Sequence, residues 1–146
     1  MSERSLFVPG APAAQGSKTH FGRGRMTEAS KRLGPWRKTI AEAIITEGWQ
    51  RDPILTGPVW VDLTFYMPRP KHHYGTGRNA NQLKGNAPVW VSTAVGDIDK
   101  LCRAVLDAIT QAGAWRDDAQ VAGLHAYRLY GHPGVLISIE RQAVQR

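Results

Sequence analysis

Two aspartates one residue apart, Asp97 and Asp99, open a segment that reads Asp97-Ile-Asp99-Lys100-Leu-Cys-Arg103-Ala-Val-Leu-Asp107. Residues i and i+2 of an extended segment project to one side, so these two carboxylates can share a hard divalent cation through oxygen ligands. A second acidic pair follows in Trp115-Arg116-Asp117-Asp118, and together with Asp107 these are five of the chain's twelve acids. Such a concentration inside a chain of net charge +7 calls for an explanation. Metal-assisted phosphodiester hydrolysis supplies one: Mg²⁺, with Mn²⁺ as the alternative ion, polarises the phosphate and activates water while cationic side chains neutralise the developing charge. The competing reading is structural. Asp99, Arg103 and Asp107 stand at i, i+4 and i+8 once a helix begins, which is also the pattern of a capping aspartate followed by a salt-bridged solvent face. An EF-hand loop starts with the same D-x-D, but its sixth position must be glycine and is Cys102 here.

The cations are distributed unevenly. Through Trp90 there are 13 Lys and Arg against 6 Asp and Glu; from Val91 onward there are 6 of each. Lys18, Arg23, Arg25, Lys31, Arg32, Arg37 and Lys38 meet one acid, Glu28, while Arg69, Lys71, Arg78 and Lys84 meet none. Two such runs can track a polyphosphate backbone, although basic loops also serve solubility alone. The DNA contacts expected from them are Lys18, Arg23, Arg25, Arg69, Lys71, His72 and Lys84, with Lys100 beside the acids. The five tryptophans could stack on unpaired bases, but in a domain of this size aromatics mostly build core.

Several classes are excluded. A composition of 42% hydrophobic and 21% charged residues is that of a globular chain, not a disordered one. No apolar run approaches the roughly 18 residues of a membrane span, and no continuous apolar region follows the N-terminal charges as a secretory signal requires. The single cysteine, Cys102, cannot form an internal disulfide, so a cytoplasmic setting is expected.

The elements that must position the acids follow from periodicity. Ser5 to Val8 is a brief apolar stretch, and a long loop is expected from Gly10 to Gly34. A helix is expected from Pro35 to Glu47, where Trp36, Ile40, Ala43 and Ile44 recur at helical spacing. Pro58 to Tyr66 alternates as a strand with one buried face. His72 to Pro88 lacks periodicity and reads as a long functional loop, with a short extended piece from Pro88 to Ala94. From Asp99 to Ala112 the apolar stripe is helical again, and Gly113 is its natural stop. Ala119 to Tyr130 and Gly134 to Ile139, parted by Gly131-His132-Pro133, read as two antiparallel strands. The sum is one α+β domain over residues 1–146, a small mixed sheet packed with two main helices.

The order of strand, Asp97-Ile-Asp99-Lys-Leu-Cys-Arg103-Ala-Val-Leu-Asp107-Ala, then Gly113-Ala-Trp115-Arg-Asp117-Asp118-Ala-Gln120-Val resembles the RusA family of Holliday-junction resolvases, found in bacteria and their prophages. Val8-Pro9-Gly10-x-Pro12 and Arg69-Pro70-Lys71-His72-His73 look like further landmarks, so the likeness covers most of the chain. The resemblance implies a Mg²⁺-dependent homodimeric endonuclease of bacterial or phage-infected cytoplasm that nicks two strands of a four-way junction symmetrically. Asp97, Asp99 and Asp118 match the family's metal-binding carboxylates. Arg103 stands where the family usually carries a catalytic lysine, and Gly96 where it commonly has proline. An always-charged guanidinium can still stabilise charge electrostatically, but it cannot donate a proton. The rival reading is a branched-DNA-binding module that keeps the basic surface and has lost chemistry.

One geometric question stays open. A helix from Asp99 to Ala112 carries the chain roughly 20 Å away, and the segment to Asp118 spans at most about 20 Å when extended. Either the Gly113 turn reverses the chain at once, or the helix is short or bent, or Asp118 completes a partner subunit's site.

Overall fold

The alternation that begins at Val59 is realised as a central strand. In the computed structural model, which describes residues 3–15, 28–92 and 96–143, four strands form one sheet: β1 (Glu3–Pro9), β2 (Val59–Met67), β3 (Val121–Tyr130) and β4 (Gly134–Arg141). Their spatial order is β1-β4-β2-β3. Val59, Val61, Leu63, Phe65 and Met67 of β2 are all buried, and across the ladder Val61 faces Ile139, Leu63 faces Ile137 and Phe65 faces Val135. β2 is paired on both edges, with β4 antiparallel and with β3 parallel, which satisfies its backbone, while its alternate residues are buried on one face of the sheet. The class is α+β with a mixed sheet, as expected.

The strand pairing corrects one expectation. β3 and β4 run in opposite directions but do not pair, because β2 lies between them. Gly131-His132-Pro133 instead carries the chain over the end of β2, where the Gly131 N–H donates to the Met67 carbonyl at 3.1 Å. The distance to cross is two strand spacings, about 10 Å, which three residues can span.

Two helices cover the inner face of the sheet. α1 (Glu28–Glu47) starts well before Pro35, which sits inside it rather than at its first turn. Proline removes one intrahelical hydrogen bond and disfavours helical geometry in the preceding residue through a clash with that residue's Cβ; Gly34 has none. The Thr39 hydroxyl also donates to the Pro35 carbonyl at 2.9 Å. Trp36, Ile40 and Ile44 form the buried stripe of α1. α2 (Ile98–Ala112) buries Leu101, Val105 and Ile109 fully, and Ala104, Ala108 and Ala112, one turn apart, let α1 come close. Trp49 and Trp115 are also buried, as the structural reading of the tryptophans requires, whereas Trp60 and Trp90 are exposed. None of the described helices is long and apolar enough to cross a membrane.

Candidate active site

The acidic segment is presented at the start of α2. Asp97 stands at the N-cap, with extended backbone, and its carbonyl accepts the Lys100 and Leu101 N–H groups at 3.1 and 3.0 Å. Its carboxylate makes no capping bond. That separates Asp97 from the usual N-cap aspartate, whose side chain is spent on the orphan N–H groups of the first turn. The Asp97 carboxylate instead faces the Lys100 ammonium at 3.7 Å, so Lys100, expected to meet DNA, is drawn toward the acid. Asp99 follows in the first helical turn, also exposed. Beneath it lies Cys102, whose thiol is pushed up to about 11 by burial and then by the Asp99 charge, and which is therefore an uncharged packing group at neutral pH.

Gly96 explains how this entry is held. Its φ is +93°, a value closed to proline and strained for any residue with a Cβ, and an added Cβ would lie 2.9 Å from that of Ala14. A proline-stiffened entry is impossible in this backbone. The stiffness comes from elsewhere: Arg128, on the inner face of β3, donates to the Gly96 carbonyl at 2.7 Å, and the Gln15 N–H donates to the Lys100 carbonyl at 3.1 Å.

The second acidic pair is returned by a tight reversal. α2 keeps its full length, and Gly113 at φ +81° closes it in the left-handed conformation. Trp115 then sinks into the core and donates its indole N–H to the Thr110 hydroxyl at 2.7 Å. Gln120 fixes the turn that follows. Its Oε1 accepts from the Arg116 and Asp117 N–H groups at 3.0 and 3.3 Å, while its Nε2 donates to the carbonyls of Ile54 and Gly57 at 3.0 and 3.2 Å. Asp118 opens a single 3₁₀ turn, Asp118–Gln120, just ahead of β3.

The reversal brings Asp118 alongside the middle of α2. Its carboxyl is raised above the ordinary carboxylate range, first by a hydrogen bond with the Asp117 side chain, then by desolvation and by the charges of Asp117 and Asp107, with Arg103 pulling the other way. Arg103 is exposed and, among the described residues, makes no ion pair with Asp99 or Asp107. The salt-bridged ridge of the structural reading is therefore not formed. Asp97 and Asp99 are not among the groups that shift Asp118. No three His, Cys, Asp or Glu side chains among the described residues gather into a ready metal cage. The chemistry of the donor set nevertheless fits a hard divalent cation: exposed carboxylate oxygens, one of them left out of the cap it stands at and paired only loosely with Lys100, and another crowded by like charge that a cation would relieve.

The basic residues divide three ways. Lys18, Arg23 and Arg25 lie outside the described residues. Lys71, His72 and Lys84 are exposed on the segment between β2 and α2. Arg69 is partly buried and organises that segment: its guanidinium donates to the Pro88 carbonyl at 2.8 Å, meets His73 Nδ1 at 3.3 Å and lies 5.3 Å from the centre of the Tyr130 ring. A guanidinium can only donate, so Nδ1 of His73 is an acceptor and the ring is neutral. Burial, then His72, Arg69 and Lys84, lower its pKa in agreement. The segment is thus an ordered loop closed by its own bonds, with Gly75 N–H to Gln82 carbonyl at 3.0 Å and Lys84 N–H to His73 carbonyl at 2.9 Å. Arg128 carries no local sequence signal, because its partner lies 32 residues away; Gln120 carries half of one, the capping-box spacing from Asp117, while the carbonyls that its Nε2 reaches lie 63 and 66 residues away.

Comparison with curated proteins returned no match. A family model, that of the endodeoxyribonuclease RusA, matches residues 9–140, which takes in both acidic turns, the ordered loop, β2, β3 and β4 up to Glu140, and leaves outside it all of β1 but Pro9. The chain belongs to the RusA endodeoxyribonuclease family.

Proposed function

We propose that this endonuclease resolves four-way junctions by paired, symmetric nicks, as a homodimer acting in the cytoplasm of a bacterial or phage-infected cell, with residues 1–146 working as one domain. The observation that carries the reading is the Asp97 carboxylate, left out of the cap it stands at and exposed on the same helix as Asp99 and Arg103. Asp97, Asp99 and Asp118 would hold the metal, Mg²⁺ first and Mn²⁺ as the alternative. When bound, such an ion supplies Lewis acidity to the scissile phosphate and lowers the pKa of water.

The chain's own residues do the rest. Arg103, one turn beyond Asp99 and without an ion-pair partner there, offers a fixed positive charge to a non-bridging phosphate oxygen. The same charge opposes the crowding at Asp118 and favours its ionised form. Arg128 and Gln120 keep the two acidic turns in place from opposite ends of β3. Lys71 and Lys84 add cations, and His72 a polar ring, along a path that phosphates of a DNA arm can follow.

Nick mapping on a synthetic four-way junction labelled in each strand tests the reading. The expected pattern is a pair of cuts at equivalent positions in two opposing strands, absent when the metal is chelated. A junction bound but left whole in both Mg²⁺ and Mn²⁺ would favour the binding module. Cuts scattered equally along linear duplex would point to a nuclease without junction selectivity.

A further inference from the structure

At the ends of β2 and β3 that carry Met67 and Tyr130, a cleft of about 750 Å³ opens between the ordered loop and the Ala11-Pro12 segment. Its walls combine two kinds of group. Arg32, Arg69 and Lys84 supply positive charge, and no acid lines it among the described residues. Trp90, 59% exposed, and the exposed ring of His72 supply flat surface. The rings beneath are already ordered: His72 stacks edge-on against His73, and His73 against Tyr130, each at 4.7 Å between centres.

The cleft is also joined to the acidic turn. Trp90 bridges to Leu129, the Val91 N–H donates to the Arg128 carbonyl at 3.0 Å, and the side chain of that same Arg128 holds the Gly96 carbonyl next to Asp97. One wall of the cleft and the entry to α2 thus hang on adjacent residues of β3.

We infer that this cleft is a receptor for one unpaired nucleotide of the bound DNA, with its phosphate among Arg69, Lys84 and Arg32 and its base against Trp90 and His72. A volume of this size is that of a site for a drug-sized molecule, which a mononucleotide matches and a base pair held in a duplex does not. Cations without acids select a phosphate, and an exposed indole selects a base by stacking, whatever its sequence. Extruding a base costs least where pairing is already broken, so a pocket of this kind favours DNA at its branch points. The inference extends the junction reading to a selectivity device beside the carboxylates, and its test needs no cleavage.

Binding is measured in EDTA for three DNAs: a full duplex, the same duplex with one additional unpaired nucleotide, and that second DNA with an abasic site at the unpaired position, the last two being equal in length and charge. The protein is expected to prefer the unpaired nucleotide over the abasic form. Trp90→Ala should cancel this preference, with a loss of about tenfold or more for the unpaired DNA and little change for the duplex. Trp90→Phe, which keeps a ring, should retain most of it. Equal affinity of the wild-type protein for all three DNAs, or a Trp90→Ala loss equal across them, would overturn the assignment. So would free deoxyadenosine monophosphate binding as tightly as the unpaired DNA, which would make the cleft a site for a soluble nucleotide. Failure of junction cleavage, by contrast, is read in a separate assay and leaves these affinities unaffected.

Discussion

At the scale of single residues the chemistry turns on Arg103 and the Asp117-Asp118 pair. If the guanidinium serves developing charge, Arg103→Ala lowers the single-turnover cleavage rate about 10²-fold with little change in junction affinity, while Arg103→Lys stays active. A rate for the alanine variant within twofold of the wild type would make Arg103 a surface residue. Asp118 carries a pH signature. Its folded-state pKa is raised, so the stability it contributes is fully present below the ordinary carboxylate value and is lost as pH rises through the raised one; in the metal-free protein its ionisation is opposed. Removing the neighbouring charge with Asp117→Asn should therefore move the acid limb of the pH–rate profile to lower pH and leave the neutral plateau in place. An unmoved limb would mean that Asp118 does not ionise in the step observed.

At the scale of elements the site depends on how two turns are anchored. Gly96→Ala places a side chain at φ +93° and 2.9 Å from Ala14, and is expected to cost about 1–3 kcal/mol in thermal or denaturant unfolding. Arg128→Ala removes the donor to the Gly96 carbonyl and should weaken metal affinity about 10-fold or more, measured by titration calorimetry, while junction binding in EDTA is kept. What the sequence reveals of these elements follows how local their causes are. The β2 alternation, the α2 stripe, the Gly113 stop and the spacing of the acids are properties of short windows and read directly. The start of α1 does not, because Gly34 relieves the restriction that Pro35 would otherwise impose. The parallel pairing of β2 with β3 does not either, since it joins residues as distant in the chain as Val59 and Val121. Arg128, and the Nε2 half of Gln120, go unread for a similar reason: each acts through carbonyls far away in the chain. The return of Asp118 to α2 is half legible, the turn being marked by glycine and its landing place set by Trp115 in the core and Gln120 against residues 54–57.

At the scale of the whole molecule, charge and symmetry make the predictions. Binding to duplex arms should weaken steeply with salt, and Lys71→Ala with Lys84→Ala should flatten the log–log slope by roughly 0.9 for each phosphate that is no longer neutralised. Arg69 is a poor probe here, because it also ties the loop to Pro88. Two equivalent nicks in a two-fold substrate are most simply made by two symmetry-related sites, so sedimentation at micromolar concentration should find a dimer, and only monomer with and without junction DNA would count against it. The central claim is that Asp97, Asp99 and Asp118 hold the metal that cuts DNA. Its most direct test is single-turnover cleavage of a four-way junction in Mg²⁺ by the wild type and by Asp97→Asn, Asp99→Asn and Asp118→Asn, with junction affinity measured alongside in EDTA. Each variant is expected to lose cleavage while binding the junction as tightly as the wild type or more tightly, since an amide cannot replace the carboxylate charge and its neutrality repels phosphate less. Wild-type cleavage rates in any one of the three would remove that residue from the metal site, and wild-type rates in all three would contradict the account.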